Sequence, residues 1–339
     1  MAHPSIPNFQ WGILGPGNIA ANFARSLRNV SGCTLRAVAS SQYLRAHGFA
    51  NEHGAQRVCG SYEEMVADPE LDIVYIATPH CFHAEQIRMC LEAGKHVLCE
   101  KPITTSAAEL EPLMALAAER NLFLMEGMWS RFFPTWHVAK EWIEAGKIGE
   151  PRMAEASFCF RAPWQPEGRL LNPGLAGGAL WDVGIYTLAF ATFALGTDLK
   201  DSRAFMHRGE TGVDEETALL LQFGKGKLAT LTSAIRTETP HIARIHGTEG
   251  SICLPAPFWK AERVTLTTGN TVEESYYPYH PPGFQFEIAH VRECLRQGKT
   301  QSPEIPLSES LLWQRVIDKA RQDNGFACPH AALSSPGSE

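Results

Sequence analysis

At 339 residues, 44% hydrophobic and 20% charged, the chain has a globular composition and is long for one core, so two domains are expected. A net charge of -7 gives no electrostatic case for a nucleic-acid partner and leaves a small molecule as the expected one. Nine cysteines without a CxxC pair, several inside apolar runs, suit a reducing cytoplasm, and without a basic-then-apolar leader pattern or an apolar run of bilayer-spanning length no membrane partner is expected.

Gln10 to Leu14 reads as a short apolar strand that runs into Gly15-Pro16-Gly17-Asn18-Ile19-Ala20, after which Ile19, Phe23 and Leu27 recur at helical spacing. A strand, glycine turn and helix in this order suit a dinucleotide. Glycines let the backbone approach a pyrophosphate, whose charge is stabilised by free N–H groups at the helix start, so Gly15, Gly17, Asn18 and Ile19 are candidate cofactor residues. A second strand, Leu35 to Ala39, ends in Ser40, Ser41 and Gln42, with Arg45 just beyond. An acidic residue there would hold a ribose 2′-hydroxyl; its absence beside an arginine predicts NADP rather than NAD, the alternative being that Arg45 is only a solvated helix charge.

Ser61 to Glu64 looks like a capped helix start, and Asp72 to Ala77 is a near-continuous apolar run, as a strand buried on both faces requires. It ends at Thr78-Pro79-His80, and His80 and His83 open a helix carrying Ile87, Met89, Cys90 and Leu91. Thr78, His80 and His83 are placed to touch a cofactor or substrate, or to cap and pack. A metal site is not expected, because no second ligand pair follows at suitable spacing.

Val97-Leu98-Cys99 is a further buried strand, and it ends in Glu100-Lys101-Pro102. A parallel strand delivers its C-terminal residues to the ligand crevice, so Glu100 and Lys101 become candidates for cofactor binding and chemistry. The isomer of the Lys101-Pro102 bond is left open. A helix with Leu110, Leu113, Met114 and Ala117 on one face follows, then a strand at Leu122 to Met125 ending in Glu126-Gly127-Met128-Trp129. Alternating strands and helices predict a doubly wound parallel sheet, an α/β dinucleotide-binding domain over 8–128.

Beyond Trp129 the pattern changes. One helix is expected over Trp136 to Glu144, then strands at 152–160, 203–207, 217–223, 228–235, 241–245 and 263–267, with hairpin turns at 223–227 and 268–270. Two late helices follow, one with Phe284, Ile288, Val291 and Leu295 on a face, the other built on Leu312, Trp313, Val316 and Ile317. The expectation is an α+β domain over 129–328 with a mainly antiparallel open sheet, and a disordered tail over 329–339. Gly177 and Gly178 lead into an apolar helix on which Asp182 and Tyr186, four apart, share a face. Spacing alone leaves a capping pair as an alternative.

Gly15-x-Gly17-x-x-Ala20, Glu100-Lys101-Pro102 and Gly177-Gly178 leading to Asp182-x-x-x-Tyr186, in that order, resemble the glucose-fructose oxidoreductase, inositol dehydrogenase and MocA (Gfo/Idh/MocA) family. The segments at 122–126, 129–134, 210–214 and 290–296 resemble its dihydrodiol dehydrogenase branch. The resemblance implies a Rossmann domain and a second domain whose open sheet forms a homodimer or higher homo-oligomer. It also implies hydride transfer between a CH–OH carbon of a sugar, such as D-xylose, or of a trans-dihydrodiol, and a nicotinamide. Many members end the helix motif in histidine; Tyr186 stands there in this chain, which makes it the candidate proton donor and acceptor and argues against an inositol dehydrogenase. By the same resemblance Trp129, Arg131, Phe158 and Trp259 join Lys101, Asp182 and Tyr186 around the substrate, the alternative for the three aromatic residues being that they are core.

The chemistry supports these roles independently. A hydroxyl that loses hydride must also lose its proton, so a base is needed within hydrogen-bond reach. A phenol titrates near ~10, and an ammonium group beside it favours phenolate while stabilising a developing alkoxide. Lys101 suits both tasks, and Asp182 would orient it or bind a second substrate hydroxyl. Two alternatives remain: an NADPH-dependent reductase of a sugar-derived ketone or dicarbonyl, and a non-catalytic NADP-binding regulator.

Overall fold

The computed structural model describes residues 8–326; the expected disordered tail lies outside them. By chain contacts these residues form two compact units. The first unit runs to Thr104 and takes in Ala108–Trp129 and His280–Leu307. Its leading part alternates β1 (Phe9–Leu14), α1 (Asn18–Leu27), β2 (Cys33–Ala39), α2 (Tyr43–His53), β3 (Arg57–Cys59), α3 (Tyr62–Val66), β4 (Ile73–Ile76), α4 (His83–Glu92), β5 (His96–Glu100), α5 (Ala107–Glu119) and β6 (Leu124–Gly127). All six strands are parallel, in the order β3-β2-β1-β4-β5-β6, that of a dinucleotide-binding sheet. Every residue of β4 is buried, as its unbroken Ile-Val-Tyr-Ile run requires. Ser61 caps α3 by accepting the Glu64 N–H at 3.1 Å, as its sequence position predicts.

The second unit comprises Thr105–Ala107, Ser130–Tyr279 and the chain from Ser308. It holds α6 (Pro134–Glu144), β7 (Pro151–Cys159), α7 (Ile185–Leu195), β8 (Leu199–Arg208), β9 (Asp214–Phe223), β10 (Lys227–Ala234), β11 (Ala243–Gly247), β12 (Ser251–Leu254), β13 (Arg263–Thr268) and β14 (Thr271–Tyr276). The eight strands run β14-β13-β12-β11-β7-β10-β9-β8, antiparallel at every pairing except β7 with β10. The fold is therefore the expected parallel sheet followed by a mainly antiparallel one. α7 packs against β7 and β10, which covers one face of the sheet. The opposite face keeps Met153, Phe205, Leu220 and Leu228 exposed, in the register that pairs Leu228 with Met153 and Leu220 with Arg203.

Two features depart from the sequence reading. The chain returns to the first unit through α8 (Gln285–Arg296), where an unbroken second domain over 129–328 is expected from sequence. Phe284, just before α8, stands 6.0 Å from Phe23 and stacks on Trp129 at 4.6 Å; Arg292 donates to the Ser31 carbonyl at 2.7 Å, and the Leu124 N–H donates to Thr300 at 3.1 Å. The last helix, α9 (Leu307–Asp323), belongs to the second unit from Ser308. The helical stretch Pro173–Leu195 is long and apolar enough to cross a bilayer, contrary to the reading that no run approaches that length. Its most apolar window is 94% buried in protein, as befits a core helix.

Candidate active site

In the first unit, β1 delivers Gly15 to the tip of the sheet with a φ of +82°, a backbone conformation that favours glycine. A Cβ there would lie 2.7 Å from Thr78 Cγ2 and 3.1 Å from the Ala77 carbonyl. At Gly17, by contrast, a Cβ would meet nothing within 4 Å. Gly17 is the N-cap of α1, supplies no side-chain cap, and is followed by a first turn free of acidic residues. The positive end of the helix thus faces open space, an arrangement that fits a pyrophosphate. At the end of β2, Ser40 is buried and accepts the Gln42 N–H at 3.2 Å, while Ser41 and Arg45 are exposed. The first turn of α2 carries no acidic residue.

β5 ends beside this site in Glu100, and the Lys101-Pro102 peptide is cis. Glu100 is buried, accepts the Tyr75 hydroxyl, and accepts the Lys101 N–H at 3.3 Å. Tyr75 in turn stacks on Phe23 at 3.7 Å. Glu100 therefore braces the turn that carries Lys101. His83 braces it from the other side: fully buried, it sets Nδ1 2.8 Å from the Pro102 carbonyl and Nε2 2.9 Å from the Thr78 carbonyl. Burial pulls its pKa below the ordinary histidine value. Both ring nitrogens thus lie against backbone carbonyls, which accords with the packing alternative weighed for His83. His80 is half-buried, its ring 5.8 Å from that of His83. Thr78 donates to Gln86 at 2.6 Å. Trp129, expected at the substrate, is buried and stacked on Phe284.

In the second unit, the paired glycines before Asp182 have a steric cause. A Cβ on Gly177 would lie 2.5 Å from the Leu170 carbonyl oxygen, and one on Gly178 2.2 Å from Asp214 Oδ1. The chain then makes a π turn over Leu180–Gly184 before α7 begins. Its i→i+5 bonding changes the stagger of Asp182 and Tyr186 from that of a plain α-helix, and such turns recur at functional sites. Asp182 is buried, and its Oδ1 accepts Arg169 Nη1 at 2.8 Å. Tyr186 is 8% exposed and stands in a cluster of rings. Phe158 and Trp259 stack in parallel at 3.6 Å, with Tyr186 5.4 Å from Phe158 and 6.5 Å from Trp259. His241, at a φ of +58°, adds a ring 5.3 Å from Phe158 and 5.1 Å from Trp259. A flat or C–H-rich ligand surface would pack well on such faces.

Arg131 is the other residue expected at the substrate by resemblance. Its guanidinium is buried, bonded to Glu309, and 5.3 Å above the Phe193 ring. Glu309 supplies the counter-charge that a buried guanidinium needs.

Residues 9–128 match an oxidoreductase family with an NAD-binding Rossmann fold, GFO_IDH_MocA, and residues 136–253 match the GFO/IDH/MocA C-terminal domain. Trans-1,2-dihydrobenzene-1,2-diol dehydrogenase of Homo sapiens is 35% identical over 333 residues, covering 94% of this chain and 98% of its own. The chain belongs to the Gfo/Idh/MocA family. The Mus musculus dihydrodiol dehydrogenase is 36% identical over 330 residues, again covering 94% of this chain and 98% of its own. Among solved structures, KijD10, a 3-ketoreductase from Actinomadura kijaniata in complex with NADP and TDP-benzene, superposes with a TM-score of 0.84 at 28% identity, over 93% of this chain and 97% of that one. KijD10 has also been solved with a lysine replaced by alanine or glutamate and with a tyrosine replaced by phenylalanine. An aldose-aldose oxidoreductase from Caulobacter crescentus, 24% identical with a TM-score of 0.84 over 94% of this chain and 97% of its own, shares the fold.

As a Gfo/Idh/MocA member, the chain is an oxidoreductase acting on CH–OH donors with a nicotinamide dinucleotide. Four residues that bear on its sites carry no role in the sequence reading: Arg169 on Asp182, His241 in the ring cluster, Asp214 under Gly178, and Glu287 in α8. Glu287 is fully buried, neither carboxyl oxygen has a hydrogen-bond partner among the described residues, and burial together with the Glu100 charge pushes its pKa well above the ordinary value. Asp214 at least stands inside the Glu210 to Asp214 segment singled out by resemblance. Arg169 lies in a segment whose pattern reads as loop, His241 opens the strand expected over 241–245, and Glu287 stands in an ordinary helix.

Proposed function

We propose that the protein exchanges a hydride between the CH–OH carbon of a sugar or trans-dihydrodiol and NADP. The observation that carries this reading is the Tyr186 phenol beside the stacked rings of Phe158 and Trp259, with Asp182 on the preceding turn. Gly15, Gly17 and the open start of α1 would hold the pyrophosphate; Ser40, Ser41 and Arg45, at a strand end without a carboxylate, favour a 2′-phosphate over a free 2′-hydroxyl. The bound nicotinamide supplies the hydride acceptor or donor. Tyr186 exchanges the proton of the reacting hydroxyl, and Lys101 stabilises negative charge on that oxygen. Asp182, held by Arg169, accepts a hydrogen bond from a neighbouring substrate hydroxyl.

The relatives named as dihydrodiol dehydrogenases support the diol, and the NADP complex of KijD10 supports the cofactor. KijD10 also favours a second reading, reduction of a ketone on a sugar by NADPH, which would employ the same proton donor. We further propose a homodimer or higher homo-oligomer through the open sheet face bearing Met153, Phe205, Leu220 and Leu228, since apolar side chains in register favour burial against a second copy. A cytoplasmic setting accords with eight free cysteines among the described residues, five of them buried.

The test follows nicotinamide absorbance with D-xylose, other aldoses, cyclitols and trans-1,2-dihydrobenzene-1,2-diol. Turnover on one of them is expected, with Tyr186→Phe lowering kcat by about a hundredfold or more, in the range of lost general acid–base catalysis. NADP binding without turnover on any of them would favour the regulator, and an unchanged kcat in Tyr186→Phe would remove that residue from the mechanism.

A further inference from the structure

A carboxylate is costly to bury, and the one on Asp214 is wholly buried at the start of β9. Its Oδ2 accepts the Leu180 N–H at 2.7 Å and the Thr217 hydroxyl at 3.3 Å, while Oδ1 lies 3.4 Å from Arg321 Nη1. Leu180 is the first residue of the π turn that carries Asp182 and leads to Tyr186. Arg321, from α9, lies 3.7 Å over the ring of Trp181, the next residue of the same turn. Gly178 lacks the Cβ that would occupy the position of Oδ1, and Val213 joins Val183 and Ala179 in one apolar cluster. Backbone, side chain and apolar packing of the turn thus converge on one acidic residue. A serine or asparagine would cap a helix start without burying a charge.

We propose that Asp214 is a positioning residue for proton transfer: with Arg321 it clamps the π turn, and turnover depends on the placement of Asp182 and Tyr186 that the clamp enforces. The inference rests on the reading of Tyr186 given above. A catalytic group displaced by a fraction of its hydrogen-bond length loses rate without losing cofactor, whose proposed ligands all lie on the first unit.

The test uses the full chain with NADP bound. Asp214→Ala is expected to lower kcat by about tenfold to a hundredfold, leave NADP affinity by fluorescence titration within about twofold, and speed amide exchange over residues 180–186 but not over 9–27. Asp214→Asn, which can still accept from Leu180 but loses the charge facing Arg321, should fall between alanine and wild type in both readouts. Should the alanine variant fail to fold, Asp214→Asn decides alone: wild-type kcat and wild-type exchange would overturn the proposal. A loss of kcat with unchanged exchange over 180–186, or an equal loss of NADP affinity, would also overturn it. If wild type turns over no substrate of the panel, the functional reading falls, and the exchange measurement still decides whether the clamp exists.

Discussion

Glu309 offers a quantitative test of the place assigned to Arg131. Its Oε1 accepts both the Arg131 guanidinium and the Thr192 hydroxyl, the latter at 2.6 Å, and Trp313 Nε1 donates to Thr192 at 3.0 Å. The side chains of Arg131 and Glu309 are only 7% and 6% exposed. Glu309→Ala removes the counter-charge and an acceptor at once, so the guanidinium is left buried without this partner, at a cost of about 3–5 kcal/mol. Arg131→Met should cost a similar amount for the reciprocal reason. The double variant, Arg131→Met with Glu309→Leu, replaces a desolvated pair by apolar groups and should lie within about 2 kcal/mol of wild type. Urea unfolding of the four proteins closes the cycle. Single variants that each cost under about 1 kcal/mol and add would refute the reasoning, because coupled residues do not add. A KM for the carbinol substrate raised more than about tenfold in the stable double variant, equivalent to about 1.4 kcal/mol, would place Arg131 at the substrate.

Further outcomes follow from the first unit and from Asp214. Gly15→Ala forces a φ of +82° on a residue with a Cβ, at about 1–2 kcal/mol, and drives that Cβ against Thr78; calorimetry should show NADP binding weakened far more than the fold, and undiminished affinity would contradict the cradle. Arg45→Ala should lower kcat/KM for NADP by about tenfold, the worth of a charge-assisted hydrogen bond, and leave NAD unaffected; an unchanged ratio would make Arg45 a solvated helix charge. Burial raises the Asp214 carboxyl to about 6 from 3.8, so the folded state holds this proton more tightly than the unfolded one. The corresponding stability is present below about pH 4 and lost as pH rises to about 6, roughly 3 kcal/mol in all. The difference in unfolding free energy between wild type and Asp214→Asn should therefore fall over that window, and a flat difference would place the titration elsewhere.

What the sequence made legible was local. The run into Gly15-x-Gly17, the Val97-Leu98-Cys99 strand ending at Lys101, and the alternation of strands with helices are short-range patterns, and each corresponds to an observed element. β12 and β14 escaped notice because the first is four residues long and the second, Thr-Val-Glu-Glu-Ser-Tyr, exposes five of its six residues and so shows no buried alternation. The apolar face of α8 was readable from Phe284, Ile288 and Val291; its docking on Phe23, 261 positions earlier in the numbering, was not. Likewise Asp182 and Tyr186 could be paired by spacing, whereas the π turn that carries Asp182 is held against Asp214 and Arg321 from two distant elements. The stack of Phe158 on Trp259 joins β7 to the loop after β12, a contact without any local signature.

The central claim is hydride exchange between a carbinol carbon and a nicotinamide, and isotope transfer tests it most directly. Incubation of the protein with NADP and a substrate deuterated at the carbinol carbon, followed by mass analysis of the reduced cofactor, should find the deuterium on the nicotinamide ring. Oxidised product with a reduced cofactor free of deuterium would contradict direct transfer, and with it the roles proposed for Lys101 and Tyr186.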